Sequence, residues 1–143
     1  MDETAMALEA LGIGHEMHVM SAHRQPESAR RFARSAESRG IQVIIAGAGA
    51  AAHLPGVIAA QTTLPVIGVP LAGNGLLGLD ALLSIVQMPS GVPVATVAVG
   101  TAGARNAAYL AAAMLSLADD GIRERYRRFR LDQSQGELYS DEE

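Results

Sequence analysis

Short apolar runs alternate with stretches of helical periodicity along the chain, and this alternation constrains the fold more than any other feature. Strands that alternate with helices are typical of a parallel sheet with helices packed on its faces. The pattern therefore predicts an α/β fold. Strands are expected at residues 15–20, 42–46, 65–69 and 93–99. Helices are expected at residues 1–11, 26–39, 79–88 and 104–118, with a further helical run that ends near residue 61.

Two of the expected helices carry additional information. The helix at 26–39 has Pro26 in its first turn and Gly40 after its last. One face of it is apolar, at positions 29, 32, 33 and 36. The helix at 104–118 is apolar on nearly every side, which predicts burial on more than one face and, in so small a domain, a contact with another subunit. The segment after it places Ile122, Tyr126 and Phe129 on one stripe.

The composition excludes several classes of function. The net charge of −4 and the 3% of aromatic residues argue against a nucleic-acid surface. The chain has no cysteine, which excludes disulfides, thiol catalysis and thiolate metal sites. All eleven basic residues are arginine, which excludes lysine Schiff-base chemistry. With no membrane-length apolar run and no signal-peptide pattern, the expectation is one cytoplasmic domain at residues 1–135 and a mobile acidic tail at 136–143.

Ligands of open parallel α/β sheets bind at the carboxyl ends of the strands, so the loops that follow the predicted strands are where a site is expected. Three of these loops are informative, "SAHRQ" at 21–25, "GAGAAAH" at 47–53 and "GTAGARN" at 100–106. In the first loop His23 can carry a proton near neutral pH, and Arg24 offers a fork for a phosphate or carboxylate. Two interpretations remain open, a polar loop cap and an acid/base beside an anion site.

The second loop resembles the dinucleotide fingerprint, since Gly47, Gly49 and Ala52 fit G-x-G-x-x-G/A. That motif needs a carboxylate about 20 residues later to hold a ribose, and the next strand ends in the apolar sequence "IGVPLAG" at 67–73, which has none. A nicotinamide cofactor is therefore not expected. The two glycines still allow a close approach of the backbone to a ligand, and the helix that follows favours an anion.

The other histidines and Ser21 give weaker indications. For His53, a hydrogen bond to nearby backbone is as reasonable as a role in a site. His15 and His18 lie on opposite faces of a predicted strand and are expected to make ordinary polar contacts. No residue set has the spacing of a metal site, and Ser21 lacks the sequence context of a catalytic nucleophile.

Three motifs together resemble one family. "SAHR" at 21–24, "GAGAAAHLPG" at 47–56 and "GLDALLSIVQMPSGVPVATVAVGTAGARNAA" at 78–108 are similar to the PurE family, and within it to the class I 5-(carboxyamino)imidazole ribonucleotide mutases of purine biosynthesis. The likeness extends from about residue 4 to about residue 118. It implies a flavodoxin-like three-layer α/β/α fold, a homo-octamer, and a reaction without metal or organic cofactor.

The resemblance also implies roles for individual residues. The reaction moves a carboxylate from the exocyclic nitrogen of an aminoimidazole ribonucleotide to ring carbon four, through a carbon dioxide intermediate. His23 is then the acid/base, and Arg24 holds the substrate phosphate. The remaining residues line the site, and those of the second loop hold carbon dioxide: Ser21, Ala22, Ala48, Gly49, Ala50, His53 and Leu54.

The chain departs from the family pattern in several places. The family's first strand and its G-S-x-S-D loop do not occur in the numbered sequence, and loss of that central strand is expected to leave two sheet edges unpaired. Ala50 replaces a usual glycine, Gln25 an often-seen threonine, and Leu77 a usual serine, asparagine or aspartate. These departures keep two alternatives open. One is a class II carboxylase that uses free carbon dioxide, although the motifs resemble class I more. The other is a non-catalytic nucleotide-binding or assembly subunit.

Overall fold

The computed structural model describes residues 1–73 and 75–136, and they form a three-layer α/β/α fold. The helices are α1 (Asp2–Ala10), α2 (Pro26–Ala36), α3 (Leu54–Ala59), α4 (Leu79–Val86), α5 (Thr101–Leu115) and α6 (Asp120–Ser134). The strands are β1 (Ile44–Gly49), β2 (Val66–Leu71) and β3 (Ala95–Thr96). The predicted α/β class and parallel sheet are confirmed. The tail predicted to be mobile falls, from residue 137 on, outside the described residues.

The three strands are parallel and lie in the order β1-β2-β3. β1 and β2 pair along their whole length, from Ile44 opposite Val66 to Gly49 opposite Leu71. Side chains alternate between the two faces of the sheet, as the period of a strand requires. The odd-numbered positions of β2, Ile67 and Val69, are fully buried beneath α5.

β3 is much shorter than the strand predicted at 93–99, and Pro70 of β2 explains why. The Pro70 carbonyl accepts a hydrogen bond from the Gly100 amide at 2.8 Å, which shows that this side of Pro70 faces β3. Proline has no N–H, so residue 70 cannot donate an inter-strand hydrogen bond to the segment before Gly100. Regular pairing is therefore limited to Ala95 and Thr96.

The strand predicted at 15–20 is wrong. This segment has no regular secondary structure and makes no backbone hydrogen bond to β1 or to any other part of the chain that the structure describes. A strand exists only where a neighbouring backbone completes its ladder, and β1 pairs on one edge only, with β2. The segment consequently lies on the surface, with Val19 100% exposed.

One face of the sheet is covered by α1 and α5, with α6 packed on the outside of α5. Alanines on α5 allow this close packing, and Gly103 has no room for a side chain, because a Cβ atom there would lie 1.6 Å from the Ala98 carbonyl oxygen. Tyr109 of α5 stacks on Phe129 of α6 at 4.4 Å between ring centroids. The apolar faces of α5 that suggested a subunit contact are thus covered by α1, α6 and β2 within the chain.

The opposite face is covered by α2, α3 and α4. Ala29, Ala33 and Ala36 of α2 are buried, as the predicted stripe requires, while Phe32 at its edge is half-buried. The helix passes into a 3₁₀ turn at Glu37–Arg39, which ends at Gly40 with φ +84°. No helix within the described ranges is long and apolar enough to span a lipid bilayer.

Candidate active site

The rings of His23 and His53 are in direct contact, although the two residues lie 30 positions apart. His23 Nε2 lies 2.6 Å from His53 Nδ1, and the ring centroids are 4.8 Å apart in an edge-on arrangement of 78°. At this distance one nitrogen carries the shared proton and the other accepts it. Both side chains are exposed, so a ligand in solution can reach them.

Local hydrogen bonds of the "SAHRQ" loop orient His23. The Gln25 amide donates to the Ser21 carbonyl at 2.8 Å, and the Arg24 amide donates to the Ser21 hydroxyl at 3.3 Å. Such serine turns are a common way to close a tight loop. Pro26 then occupies the first turn of α2, as predicted. Ser21 and Gln25 therefore form the cap, and the cap leaves the ring of His23 directed at His53.

Arg24, which follows His23 directly in the chain, supplies a positive charge to this loop. Its side chain is exposed, and its guanidinium forms no ion pair with any residue in the described part of the chain. Two of the three arginines of α2 are different, because Arg30 pairs with Glu27 at 3.1 Å and Arg34 bonds Gln61 at 3.0 Å. An unpaired guanidinium next to an imidazole is suited to a phosphate or carboxylate group.

The "GAGAAAH" loop forms the other side of the site. β1 ends at Gly49, Ala50 adopts φ +52°, and the side chain of Ala52 is 1% exposed in the core. The His53 amide donates to the Ala51 carbonyl at 2.8 Å. His53 is thus bonded to backbone through its amide and to His23 through its ring, and its role in a site stays a prediction.

The glycines of this loop make room for protein atoms. A Cβ atom on Gly47 would lie 2.5 Å from the Met1 Sδ atom, and one on Gly49 would lie 3.2 Å from the Leu71 carbonyl oxygen. Ala48 packs towards α4, and Leu54 begins α3 half-buried. The predicted residues 48, 49, 50, 53 and 54 lie between the end of β1 and the start of α3, and the wall expected of them stays a prediction.

The third loop and the remaining histidines lie in other interactions. Arg105 of "GTAGARN" donates to Glu3 of α1 at 2.6 Å. His18 Nε2 lies 3.2 Å from Glu16, and His15 Nε2 lies 3.9 Å from Glu9. These are the polar contacts predicted for both histidines. Among the described residues there is no group of three or more histidine, aspartate or glutamate side chains placed to hold a metal ion.

A cluster that sequence reasoning missed connects the segment at 15–20 to α2 and to the 3₁₀ turn that follows it. Glu16 accepts a hydrogen bond from Arg39, and the Arg39 guanidinium lies 5.0 Å from the centre of the Phe32 ring. The hydrogen bond from Arg39 is the main cause that lowers the pKa of Glu16. The signal in the sequence is slight, because these residues lie up to 23 positions apart and carry no motif.

Comparison with known proteins identifies the family. The family model described as AIR carboxylase matches residues 1–136. The chain belongs to the AIR carboxylase family. It is 58% identical over 132 residues to the N5-carboxyaminoimidazole ribonucleotide mutase of Pyrococcus abyssi, which covers 92% of this chain and 75% of that protein. It is 53% identical over 135 residues to the mutase of the same name from Pseudomonas aeruginosa, covering 94% of this chain and 83% of the relative.

The fold of this AIR carboxylase family member is also that of a solved relative. The crystal structure of Treponema denticola PurE superposes with a TM-score of 0.85 at 25% sequence identity, covering 96% of this chain and 84% of that one. The flavodoxin-like, PurE-type fold expected from the three motifs is therefore confirmed. The predicted residues of two loops also lie together in this structure, and the contact of His23 with His53 joins them.

Proposed function

We propose that this chain is an N5-carboxyaminoimidazole ribonucleotide mutase of purine biosynthesis, an isomerase. The observation that carries the proposal is the contact of His23 with His53, at 2.6 Å, in a loop whose next residue is the unpaired Arg24. Relatives from an archaeon and a bacterium, at 58% and 53% identity, bear this activity in their names. The substrate is a small-molecule ribonucleotide, and its phosphate is assigned to Arg24.

The reaction needs one group that first gives and then takes a proton. The bond between the exocyclic nitrogen and the carboxylate breaks, carbon dioxide leaves, and the nitrogen takes up one proton. Ring carbon four then bonds to carbon dioxide and loses its own proton. We assign both transfers to His23, which returns to its starting protonation state at the end of the cycle. No proton is gained or lost overall, as an isomerisation requires.

The contact with His53 occupies Nε2 of His23 and leaves Nδ1 of His23 available for proton transfer. When His23 Nε2 carries the proton of the 2.6 Å bond, its Nδ1 accepts a proton in the neutral ring and donates one in the charged ring. The two rings cannot both be doubly protonated in this arrangement, because two N–H groups would then face each other. His53 is thus a partner that keeps His23 in one orientation.

The second loop is suited to carbon dioxide. Its wall of Ala48, Gly49, Ala50 and Leu54 offers no charged group, and a neutral gas is held best by a small apolar surface from which water is excluded. Gly49 and Ala50 are exposed in the single chain. The substrate itself, or a neighbouring subunit, therefore has to cover them during turnover. Ser21 and Ala22 complete the floor of the proposed site.

A homo-oligomer, specifically an octamer, is part of the proposal. Its support is an apolar stripe on the outer face of α4, where Leu79, Leu83 and Val86 are 54%, 49% and 48% exposed, continued by Leu76 and Leu77. Apolar patches of this kind mark protein contacts. A cytoplasmic location is proposed with it, because a charged ribonucleotide does not cross membranes unaided. Sedimentation or light scattering of the purified protein measures the subunit number.

To test the proposal, the purified protein is assayed with two substrates separately: the carboxyamino ribonucleotide, and the aminoimidazole ribonucleotide with free carbon dioxide. Isomerisation of the carboxyamino ribonucleotide to the ring-carboxylated product supports the mutase, and His23→Asn should fold normally and lose about 100-fold or more in rate. Preferential carboxylation of the aminoimidazole ribonucleotide with free carbon dioxide would identify a class II carboxylase instead. Binding of that ribonucleotide in a calorimeter, without turnover of either compound, would identify a non-catalytic subunit.

A further inference from the structure

Ala50 adopts a backbone conformation that L-amino acids rarely adopt. Its φ is +52°, and among the described residues other than glycine only Leu77 shares a positive φ. The left-handed region is disfavoured for alanine because its Cβ approaches the neighbouring carbonyl oxygen, and it is a strong outlier for a β-branched residue. Such outliers persist only where the surrounding structure enforces them.

Both ends of the turn that contains Ala50 are fixed by packing. On one side Gly49 is the last residue of β1, and a Cβ atom there would already lie 3.2 Å from the Leu71 carbonyl oxygen. On the other side Ala52 is 1% exposed and packs with Ala81 and Ile85 of α4. Only Ala50 and Ala51 remain to change the direction of the chain, and Ala50 is the one whose φ is positive.

The direction taken at Ala50 determines where His53 lies. His53 follows Ala52 directly, and its amide is bonded back to the Ala51 carbonyl at 2.8 Å, so the segment from 51 to 53 turns as a compact unit. Its Nδ1 then lies 2.6 Å from His23 Nε2. A right-handed or extended Ala50 would rotate this unit relative to β1 and separate the two rings.

We propose that Ala50 is a positioning residue of the site, whose left-handed backbone turns the loop so that His53 contacts His23. The kinetic test of this proposal rests on the proposed mutase function. The structural test, which is the contact between the two imidazoles, does not. A glycine at position 50 adopts the same conformation without steric cost, so it keeps the contact. A valine is excluded from this conformation and breaks the contact, whereas the same substitution at the exposed neighbour Ala51 does not.

The experiment compares Ala50→Gly, Ala50→Val and the matched control Ala51→Val. Ala50→Val should lose about tenfold or more in kcat, with KM changed by less than about threefold, because His23 loses the contact with His53 that orients it. Ala51→Val should keep kcat within about twofold of the parent chain. Equal losses in both valine variants, or none in Ala50→Val, would overturn the proposal.

Crystal structures of the variants give a readout that needs no turnover. In Ala50→Gly, φ at position 50 should stay positive and the two imidazoles should stay in hydrogen-bonding distance. In Ala50→Val the rings should separate. A glycine variant with negative φ and an intact histidine pair would refute the role of Ala50, even if the valine variant fails to fold. Absence of mutase activity in the parent chain would instead count against the proposed function and leave this structural test standing.

Discussion

His23 Nε2 and His53 Nδ1 lie 2.6 Å apart, and this single contact joins the loop before α2 to the loop before α3. Neither loop is buried at this point, since both rings are exposed. The pair is therefore held by the conformations of the two loops rather than by the core. Its effect on the chemistry can be separated from its effect on stability, because exposed side chains contribute little to folding.

Replacement of His53 by alanine should reduce kcat and leave the fold unchanged. The variant loses the hydrogen bond that orients His23, and one hydrogen bond to a charged ring corresponds to a rate loss of about 10- to 100-fold. Steady-state kinetics measures the loss, and thermal unfolding checks the fold. The control is His15→Ala, since His15 lies 3.9 Å from Glu9 on the surface and should keep the parent rate. Full activity of His53→Ala would show that the contact is dispensable.

Replacement of Arg24 by alanine should raise KM more than it lowers kcat. If Arg24 holds the phosphate, its removal costs a charge-assisted contact, equivalent to about 10- to 100-fold in affinity. Arg24→Lys should recover part of this loss, because lysine keeps the charge but not the two-pronged geometry. Arg30→Ala is the control, since Arg30 already pairs with Glu27. An unchanged KM in Arg24→Ala would place the phosphate elsewhere.

Local patterns were enough to predict most of the fold. The stretches 42–46 and 65–69 carry apolar runs typical of buried parallel strands. The structure has strands there, at Ile44–Gly49 and Val66–Leu71. The stretch at 15–20 has a similar pattern but no neighbouring strand in the described chain, and the ladder of a strand depends on partners distant in sequence. β3 is shortened by Pro70, a residue in a different strand.

In the candidate site, too, local sequence predicts some features, whereas others depend on residues distant in the chain. The motifs predicted which loops form it, but the spacing of 30 residues between His23 and His53 gives no indication that their rings touch. Two of the departures from the family pattern, Ala50 and Leu77, are also the described non-glycine residues with positive φ, at +52° each. The family resemblance implies glycine at position 50 and serine, asparagine or aspartate at position 77. The backbone offers a reason, since glycine, asparagine and aspartate tolerate the left-handed region.

Replacement of Gly103 by alanine should destabilise the protein strongly. A Cβ atom at this position would lie 1.6 Å from the Ala98 carbonyl oxygen, and main-chain atoms cannot move aside as a flexible side chain can. We expect a loss of about 3 kcal/mol or more in the free energy of unfolding, at the upper end for overpacked sites. Urea denaturation measures it. Gly14→Ala is the control, because nothing lies within 4 Å of a Cβ atom there. Equal stability of the two variants would contradict the close packing of α5.

The ion pair of Glu16 with Arg39 should make stability depend on pH in the acid range. The hydrogen bond from Arg39 lowers the pKa of Glu16 in the folded protein, so its stabilising contribution is complete above the carboxyl's usual pKa of 4.5. It is lost as the pH falls through the lowered value, because the protonated carboxyl no longer attracts the guanidinium. Arg39→Gln should abolish this part of the dependence while leaving the protein folded at neutral pH. Thermal unfolding of the parent protein and of Arg39→Gln from pH 7 to pH 3 measures the difference. If the unfolding temperatures of both proteins fall in parallel with pH, the segment at 15–20 is not held by this ion pair.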